Sequence, residues 1–85
     1  SRGLGYAVGA HFGALIRARY AGDAALQHSL LPWSRTTAGA RVVAAFLKAN
    51  EAAYPHHVEE LRGLASGAAV SFNEALLMNL KLHMT

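Results

Sequence analysis

The stretch Tyr54–Leu80, YPHHVEELRGLASGAAVSFNEALLMNL, decides the fold class of this chain. Pro55 fits the first turn of a helix, because the N–H that proline lacks has no partner there in any case. Gly67 predicts the end of that helix, since glycine readily adopts the left-handed conformation that follows a helix. Ser71 and Glu74 then form an S-x-x-E capping box, which is typical of the start of a second helix. The stretch therefore predicts two consecutive helices.

The apolar residues of this stretch recur at helical spacing and line one face of each predicted helix. Glu59, Glu60 and Arg62 fall on the outward side of the first of the two helices. The apolar faces consist of Tyr54, Val58, Leu61 and Ala65 in the first helix and of Phe72, Leu76, Leu77 and Leu80 in the second.

The N-terminal part of the chain predicts one helix from about Gly5 to Tyr20. Gly5, Gly9 and Gly13 form a stripe at a spacing of four residues. Each glycine inside a helix costs about 0.5–1 kcal/mol relative to alanine, so three in register predict that another backbone approaches closely. A transmembrane G-x-x-x-G dimer is the alternative. The charged and polar residues of the same helix argue against a transmembrane helix, namely His11, Arg17 and Arg19.

The middle of the chain predicts a short helix, a break and a longer helix. Gly22-Asp23 ends the first helix and caps a short one over Ala24–Leu30. Leu31-Pro32-Trp33 predicts an extended segment or a turn, because the residue before a proline disfavours the helical conformation. The longer helix is predicted over Ala38–Ala53, with an N-cap offered by Ser34, Thr36 or Thr37. Its apolar stripe consists of Val43, Phe46, Leu47 and Tyr54.

The composition agrees with an all-α chain of four to five helices that forms a single helical segment over residues 1–85. Of its 85 residues, 53% are hydrophobic and only 15% are charged. A domain of this size has much surface for its volume, so the apolar excess predicts that one face packs on another chain or on another part of the same chain. The abrupt ends are those expected of a cleavage product, without a signal peptide.

The net charge of +3 does not point to nucleic acid, because the basic residues are spread along the chain and do not cluster on one predicted face. No apolar run approaches the roughly 20 residues that a membrane span needs. The chain has no cysteine, and therefore no disulfide or thiolate metal site. The basic residues are Arg2, Arg17, Arg19, Arg35, Arg41, Lys48, Arg62 and Lys81.

No catalytic, cofactor-binding or metal-binding residue is predicted. His56 or His57 could share a helix face with Glu60, but two ligands do not make a metal site, and exposed histidines are the favoured interpretation. His11 is interpreted as a packed or hydrogen-bonded side chain. The glycines of residues 3–9 follow no strand, so they are not a dinucleotide loop. The serines of the chain lack a strand–turn–helix elbow and are interpreted as capping or loop residues, namely Ser34, Ser66 and Ser71.

Two segments resemble the N-terminal part of the acyl-CoA:6-aminopenicillanic acid acyltransferase family of N-terminal-nucleophile hydrolases, which is related to β-alanyl-dopamine hydrolase. Gly3–Gly13, GLGYAVGAHFG, resembles the opening pattern G-x-x-[FY]-x-x-G-x-x-x-G. Tyr54-Pro55, then Glu60–Ala68, ELRGLASGA, then Leu76–Asn79, LLMN, resemble the pattern "YP…EL.GiA.Ga…..lL.lN". The order and separation of the two segments also resemble those of the family.

The resemblance implies the α chain of a self-processed heterodimer, packed on a larger chain with an αββα core. It implies a catalytic cysteine at a downstream cleavage junction, which is absent from this chain, and an amide or acyl-CoA substrate. There are two departures from the family pattern: Ala69 stands where a second glycine is frequent, and His83 stands near the place of an acidic residue. No cofactor is implied, and an intracellular location, cytoplasmic or peroxisomal, is expected.

Two other hypotheses remain at this point. The chain could be a non-enzymatic helical module whose apolar face binds a partner. It could also be a small nucleic-acid binder, which is the weakest hypothesis because it rests only on the sequence pI of 9.8.

Overall fold

The computed structural model describes residues 2–84, and the side chains of residues 2–82. These residues form six α-helices and one π-helical turn and contain no strand, which confirms the all-α prediction with one helix more than expected. The helices are α1 (Arg2–His11), α2 (Gly13–Gly22), α3 (Leu31–Ser34), α4 (Thr37–Ala53), α5 (Pro55–Ala68) and α6 (Phe72–Met84), and the π-helical turn is Leu26–Leu30.

The centre of the core is α6. Most of the side chains between Ala75 and Leu80 are buried, and Leu77 is fully enclosed. Leu26 of the π-helical turn is the other large side chain that is fully buried. Around these residues lie Tyr20 of α2 and Ala65 of α5. Helices α2 to α5 add partly buried apolar side chains, namely Ile16, Leu31, Trp33, Val43, Phe46 and Leu61.

The closest packing of the chain joins α1 to α5. A Cβ atom on Gly5 would overlap the carbonyl of Glu60, and one on Gly9 would overlap the carbonyl of Leu64. Conversely, a Cβ atom on Gly63 would overlap the carbonyl of Arg2. Because Gly5 and Gly9 meet residues 60 and 64 in the same order, the two helices run parallel. The close backbone approach predicted from the glycine stripe is therefore confirmed. Gly63 and Gly67 of α5 face the stripe and pack on the backbone of α1.

Several predicted boundaries are confirmed. Thr36 caps α4, since its hydroxyl accepts a hydrogen bond from the Gly39 N–H at 3.0 Å. The capping box forms as predicted: the Ser71 hydroxyl accepts from the Glu74 N–H at 3.0 Å, and a Glu74 carboxylate oxygen accepts from the Ser71 N–H at 3.2 Å. Asp23 accepts from the Leu26 N–H at 2.9 Å and caps the turn that follows it.

The helix predicted over residues 5–20 is instead two helices that meet at Phe12. Phe12 has φ −105° and ψ 15°, in the sparsely occupied bridge region between helical and extended conformations. Two backbone hydrogen bonds still cross the junction, from Phe12 to Val8 and from Ile16 to Phe12. The junction therefore interrupts the regular helix, while backbone hydrogen bonds continue across it.

The prediction of an extended segment or turn at Leu31-Pro32-Trp33 is wrong, because these residues belong to α3. Within a regular α-helix the proline ring would clash with the carbonyl four residues earlier. Here the Leu31 N–H donates to the carbonyl of Leu26, five residues back, so a π-helical turn directly precedes the proline. The wider turn accommodates the ring, and the chain stays helical.

Two further predictions in the Tyr54–Leu80 stretch are wrong. Gly67 does not end α5, because the helix continues through Ala68, and Ala69 adopts the left-handed conformation with φ 57°. Tyr54 does not join an apolar stripe, since 63% of its side chain is exposed. Tyr54 lies between α4 and α5 and directly precedes Pro55. Its φ of −138° and ψ of 63° are not helical, so it does not continue the apolar face of either helix.

Candidate functional site

The described residues with potential chemistry are not brought together. His56 and His57 are exposed, as predicted, and His11 is exposed with its ring 4.6 Å from that of Phe12. Ser71 is a capping residue, whereas Ser34 and Ser66 lie within helices and not in loops. Among the described residues, no group of three His, Asp or Glu side chains could hold a metal ion. None of the described helices is long and apolar enough to cross a membrane.

Among the described residues, two titratable groups have a displaced pKa, and both belong to the scaffold. The Lys81 ammonium donates to the Asp23 carboxylate at 2.6 Å and, together with the Leu26 N–H, holds the pKa of Asp23 below its usual range. Burial raises the pKa of the Tyr20 hydroxyl, and the negative charge of Glu74 adds to that effect. Neither group faces a catalytic partner, so these shifts describe packing and not an acid–base site.

One candidate surface is an apolar groove between α1 and α5, with a volume of about 280 Å³. Leu4 and Val8 form one wall, and Leu61 and Leu64 form the other. His57 and Glu60 stand at its rim, and the exposed fractions of Leu4 and Val8 are 59% and 39%. Phe12 and Leu15 follow Leu4 and Val8 at helical spacing along the chain and extend this apolar stripe, with exposed fractions of 46% and 70%.

A second depression, of about 330 Å³, lies beside Arg2 and Arg62. Both guanidinium groups are already engaged by the same carboxylate: Arg2 lies 3.0 Å from Glu59, and Arg62 lies 3.9 Å from it. Arg62 also lies over the ring of Phe72, 4.3 Å from its centre. This depression therefore has no uncompensated charge with which to bind an anion, and we assign it no ligand.

The third candidate surface is the outward side of α4, which was not predicted. Arg41 and Lys48 are exposed and stand seven residues apart on this helix, opposite the side that carries the buried Asn50. The sequence contained a signal for this surface, because residues seven apart on an α-helix lie on one face. This surface was missed because the basic residues were interpreted as spread along the whole chain.

One buried hydrogen-bond donor of the described residues lacks an acceptor. Among the described side chains, the Asn79 amide nitrogen is the buried polar atom that forms no hydrogen bond. Asn79 lies within α6, in the segment that carries the family resemblance. An unsatisfied buried donor costs about 1–3 kcal/mol, so an acceptor from another part of the protein would stabilise this residue. The side chain of His83, the other position singled out there, lies outside the described residues.

No family model, curated protein or solved structure matches this chain.

Proposed function

We propose that this chain is the α chain of a self-processed N-terminal-nucleophile amide hydrolase or acyltransferase, bound to a larger chain from the same precursor. The substrate would be an amide or an acyl thioester such as an acyl-CoA. The nucleophile would be a cysteine at the start of the larger chain, so this chain alone would be inactive. The proposal assigns no catalytic residue and no cofactor to residues 1–85.

The observation that carries this proposal is the contact between the two segments that resemble the family. Gly9 of the first segment packs on the backbone of Leu64 in the second, and Gly63 and Gly67 of the second pack on the backbone of Arg2 and Tyr6. The glycines that carry the resemblance in the two segments therefore have one packing role in this chain, although they lie more than 50 residues apart. Their interlocking supports the view that the resemblance reflects a shared packing arrangement.

Two other features support a larger partner chain. The groove beside Leu4 and Val8 leaves apolar surface in water, and a contiguous exposed apolar patch of this kind is typical of an interaction site. The Asn79 donor lacks an acceptor among the described residues. Both features are expected of a chain whose folded environment includes a second polypeptide.

The chemistry of the proposed enzyme belongs to the larger chain. The α-amino group of its N-terminal cysteine would accept the thiol proton, because α-amino groups titrate near neutral pH. The thiolate would attack the substrate carbonyl and form an acyl-enzyme, while the leaving amine or thiol takes up the proton. Water or an acceptor amine would then receive the acyl group. Residues 1–85 would contribute by packing on that chain and holding its shape.

The test is mass spectrometry of the purified full-length protein. We expect two chains, with cysteine as the first residue of the larger one, and a single uncleaved chain when that cysteine is replaced by alanine. The double variant H56A/H57A is the control, because both side chains are exposed, and it should be cleaved normally. A wild-type protein recovered as one intact chain, or with a different mature N-terminus, contradicts the proposal.

A second candidate function is a non-enzymatic helical interaction module. The exposed stripe of Leu4, Val8, Phe12 and Leu15 favours it equally, because such a stripe needs a partner but not a particular reaction. An uncleaved protein that forms a stable complex without acyl-transfer activity would identify this function.

A further inference from the structure

We infer that the apolar surface of α1 and α2 binds a second copy of the same chain. The two copies are antiparallel and related by a two-fold axis, so that Leu15 of each copy enters the groove between α1 and α5 of the other. This inference does not rest on the proposed function, because it draws only on residues of this chain. In a processed enzyme the surface would join two copies of the smaller chain, and the larger chain would pack elsewhere.

The first observation is where the exposed apolar side chains lie. Among the described residues, eight large hydrophobic side chains are exposed, and five of them fall between residues 4 and 15. The same segment is uncharged, since residues 3–16 contain no Asp, Glu, Lys or Arg. Exposed aromatic residues together with a depletion of charge are characteristic of the core of a protein interface. The five residues are Leu4, Tyr6, Val8, Phe12 and Leu15.

The second observation is that this surface has both a hollow and a protrusion. The hollow is the groove of about 280 Å³, with Leu4 and Val8 on one wall. The protrusion is Leu15, which has the largest exposed fraction of the eight side chains, 70%. Leu15 lies on α2, beyond the junction at Phe12 and roughly 10 Å further along the helix axis than Val8, so it does not fill the groove of its own chain. In a two-fold dimer each copy offers its protrusion to the hollow of the other.

The third observation is the charge beside each feature. Arg19 is exposed and follows Leu15 by four residues, so the two side chains are neighbours on one face of α2. Glu60 stands at the rim of the groove. When Leu15 enters the groove of a second copy, the Arg19 guanidinium therefore comes close to the Glu60 carboxylate of that copy. A parallel arrangement would instead bring the two Arg19 side chains together, so charge favours the antiparallel one.

The surface also has the length that a pair of copies needs. Small specific interfaces bury about 600 Å² per partner, roughly an eighth of the 5206 Å² of accessible surface of this chain. Helices α1 and α2 have ten residues each and together extend for about 30 Å. A second α1–α2 pair has the same length and can cover the whole stripe. Small exposed residues along it allow a close approach, namely Ala7, Ala10, Ala14 and Ala18.

An anionic membrane surface fits this region less well. Helices that lie on such a membrane carry several free cations beside their apolar face. Here the Arg2 guanidinium lies 3.0 Å from the Glu59 carboxylate, and the Arg17 guanidinium donates to the Ala68 carbonyl at 2.9 Å. Glu60 at the groove would also be repelled by anionic lipid. A hollow with an acidic rim matches an apolar protrusion with a cation better than it matches a flat bilayer.

Sedimentation velocity of the purified full-length protein over a range of concentrations is the first test. We expect a dimer, and we expect Leu15→Asp to weaken its association at least tenfold, because a carboxylate would be buried in the apolar groove. Leu82→Asp is the matched control, since Leu82 is 66% exposed on α6 and lies outside this surface. It should associate as the wild type does. Circular dichroism should show that both variants keep their helix content.

Cysteine cross-linking is the second test, and it reports on the contact itself. Residues 1–85 contain no cysteine, so each introduced thiol is identified by its own peptide. Isotopically labelled Leu15→Cys protein is mixed with unlabelled Leu4→Cys protein and oxidised. We expect a disulfide between residue 15 of one copy and residue 4 of the other, found by peptide mass spectrometry. Leu82→Cys in place of Leu15→Cys is the control and should form no such link.

The inference is overturned if the wild-type protein is a monomer at every concentration. It is also overturned if Leu15→Asp and Leu82→Asp dimerise equally well and residues 4 and 15 of different copies remain unlinked. A monomer that binds anionic vesicles only when Leu15 is intact would assign the surface to a membrane instead.

These results are separate from those that test the proposed function. If the protein is cleaved and the cysteine at residue 15 links to the larger chain, this inference fails and the proposed function stands. A single uncleaved chain that dimerises through Leu15 would support the inference and contradict the processing.

Discussion

Gly9 of α1 packs so closely on the backbone carbonyl of Leu64 in α5 that no side chain fits at residue 9. A Cβ atom on Gly9 would overlap the Leu64 carbonyl and would lie 2.9 Å from the amide nitrogen of Ala68. Both obstacles are backbone atoms of α5, so no side-chain rotation could relieve the overlap. The parallel packing of α1 on α5 therefore depends on the absence of a side chain at this residue.

Substitutions at Gly9 should destabilise the fold in proportion to the size of the new side chain. We expect Gly9→Ala to lower the free energy of unfolding by about 1–3 kcal/mol, and Gly9→Leu by more, because α1 must move away from α5. Gly3→Ala is the matched control on the same helix, since a Cβ atom there meets nothing within 4 Å. It should stabilise the protein slightly, as alanine favours a helix over glycine. Chemical denaturation measures all three.

The glycines of this stripe should also differ among themselves, and Gly13 should tolerate alanine better than Gly9. A Cβ atom on Gly13 would lie 3.0 Å from the Arg17 guanidinium, which can move, and 3.5 Å from the Cα atom of Ala68. Equal losses of stability for Gly9→Ala, Gly13→Ala and Gly3→Ala would show that α1 does not pack as described.

Ala69 should be improved by glycine. It has φ 57° and ψ 41°, a left-handed conformation that costs a residue with a Cβ atom about 1–2 kcal/mol. The N–H of Val70 bonds the carbonyl of Ala65 at 3.0 Å, so the conformation is fixed by the end of α5. After the extra freedom of glycine in the unfolded chain is subtracted, Ala69→Gly should raise the stability by roughly 1 kcal/mol. A lower melting temperature for this variant would contradict the prediction.

Arg17 should stabilise the end of α5 through a single hydrogen bond. Its guanidinium donates to the carbonyl of Ala68 at 2.9 Å, at the negative end of the helix dipole. We expect Arg17→Met to cost roughly 1 kcal/mol in thermal unfolding. Arg19→Met is the control on the same helix, because Arg19 is exposed, and its effect should stay within about 0.5 kcal/mol. Equal effects of the two substitutions would indicate that only net charge matters.

The parts of the fold that local chemistry determines were predictable from the sequence. The capping box of Ser71 and Glu74, the cap at Thr36 and the helix that begins at Pro55 each depend on residues within one turn of one another. The errors arose where a less common local geometry intervened. The π-helical turn before Pro32 keeps the chain helical, and Ala69 takes the left-handed conformation that was expected of Gly67.

The surfaces were less predictable, because they depend on contacts between distant segments. The glycine stripe indicated that some backbone lies close to α1, but not that it belongs to α5, more than 40 residues further along. The groove beside Leu4 and Leu64 exists only when those two helices pack side by side. By contrast, the seven-residue spacing of Arg41 and Lys48 is enough to predict that they lie on one face of a helix.

The ion pair of Asp23 and Lys81 should make stability depend on pH in the acidic range. Lys81 of α6 holds the carboxylate that caps the turn after α2, and the pKa of Asp23 is lowered by this hydrogen bond and by the Leu26 N–H. A carboxyl group whose pKa is lower in the folded state stabilises the protein above its unfolded pKa, which is about 3.9 for aspartate. That stabilisation is lost as the pH falls through the lower, folded value.

Asp23→Asn should therefore reduce the melting temperature at pH 7, and the difference from wild type should narrow as the pH is lowered below about 4. The substituted amide would keep a hydrogen-bond acceptor for the Leu26 N–H but would lose the charge that Lys81 requires. Lys81→Met should show the same narrowing, since it removes the other partner of the pair.

Glu51→Gln is a suitable control, because its carboxylate is 52% exposed and 3.9 Å from Arg62. Circular dichroism melts from about pH 7 to about pH 2 measure the differences across the range in which aspartate titrates. A gap between wild type and Asp23→Asn that stays constant across this range would show that the ion pair does not stabilise the fold.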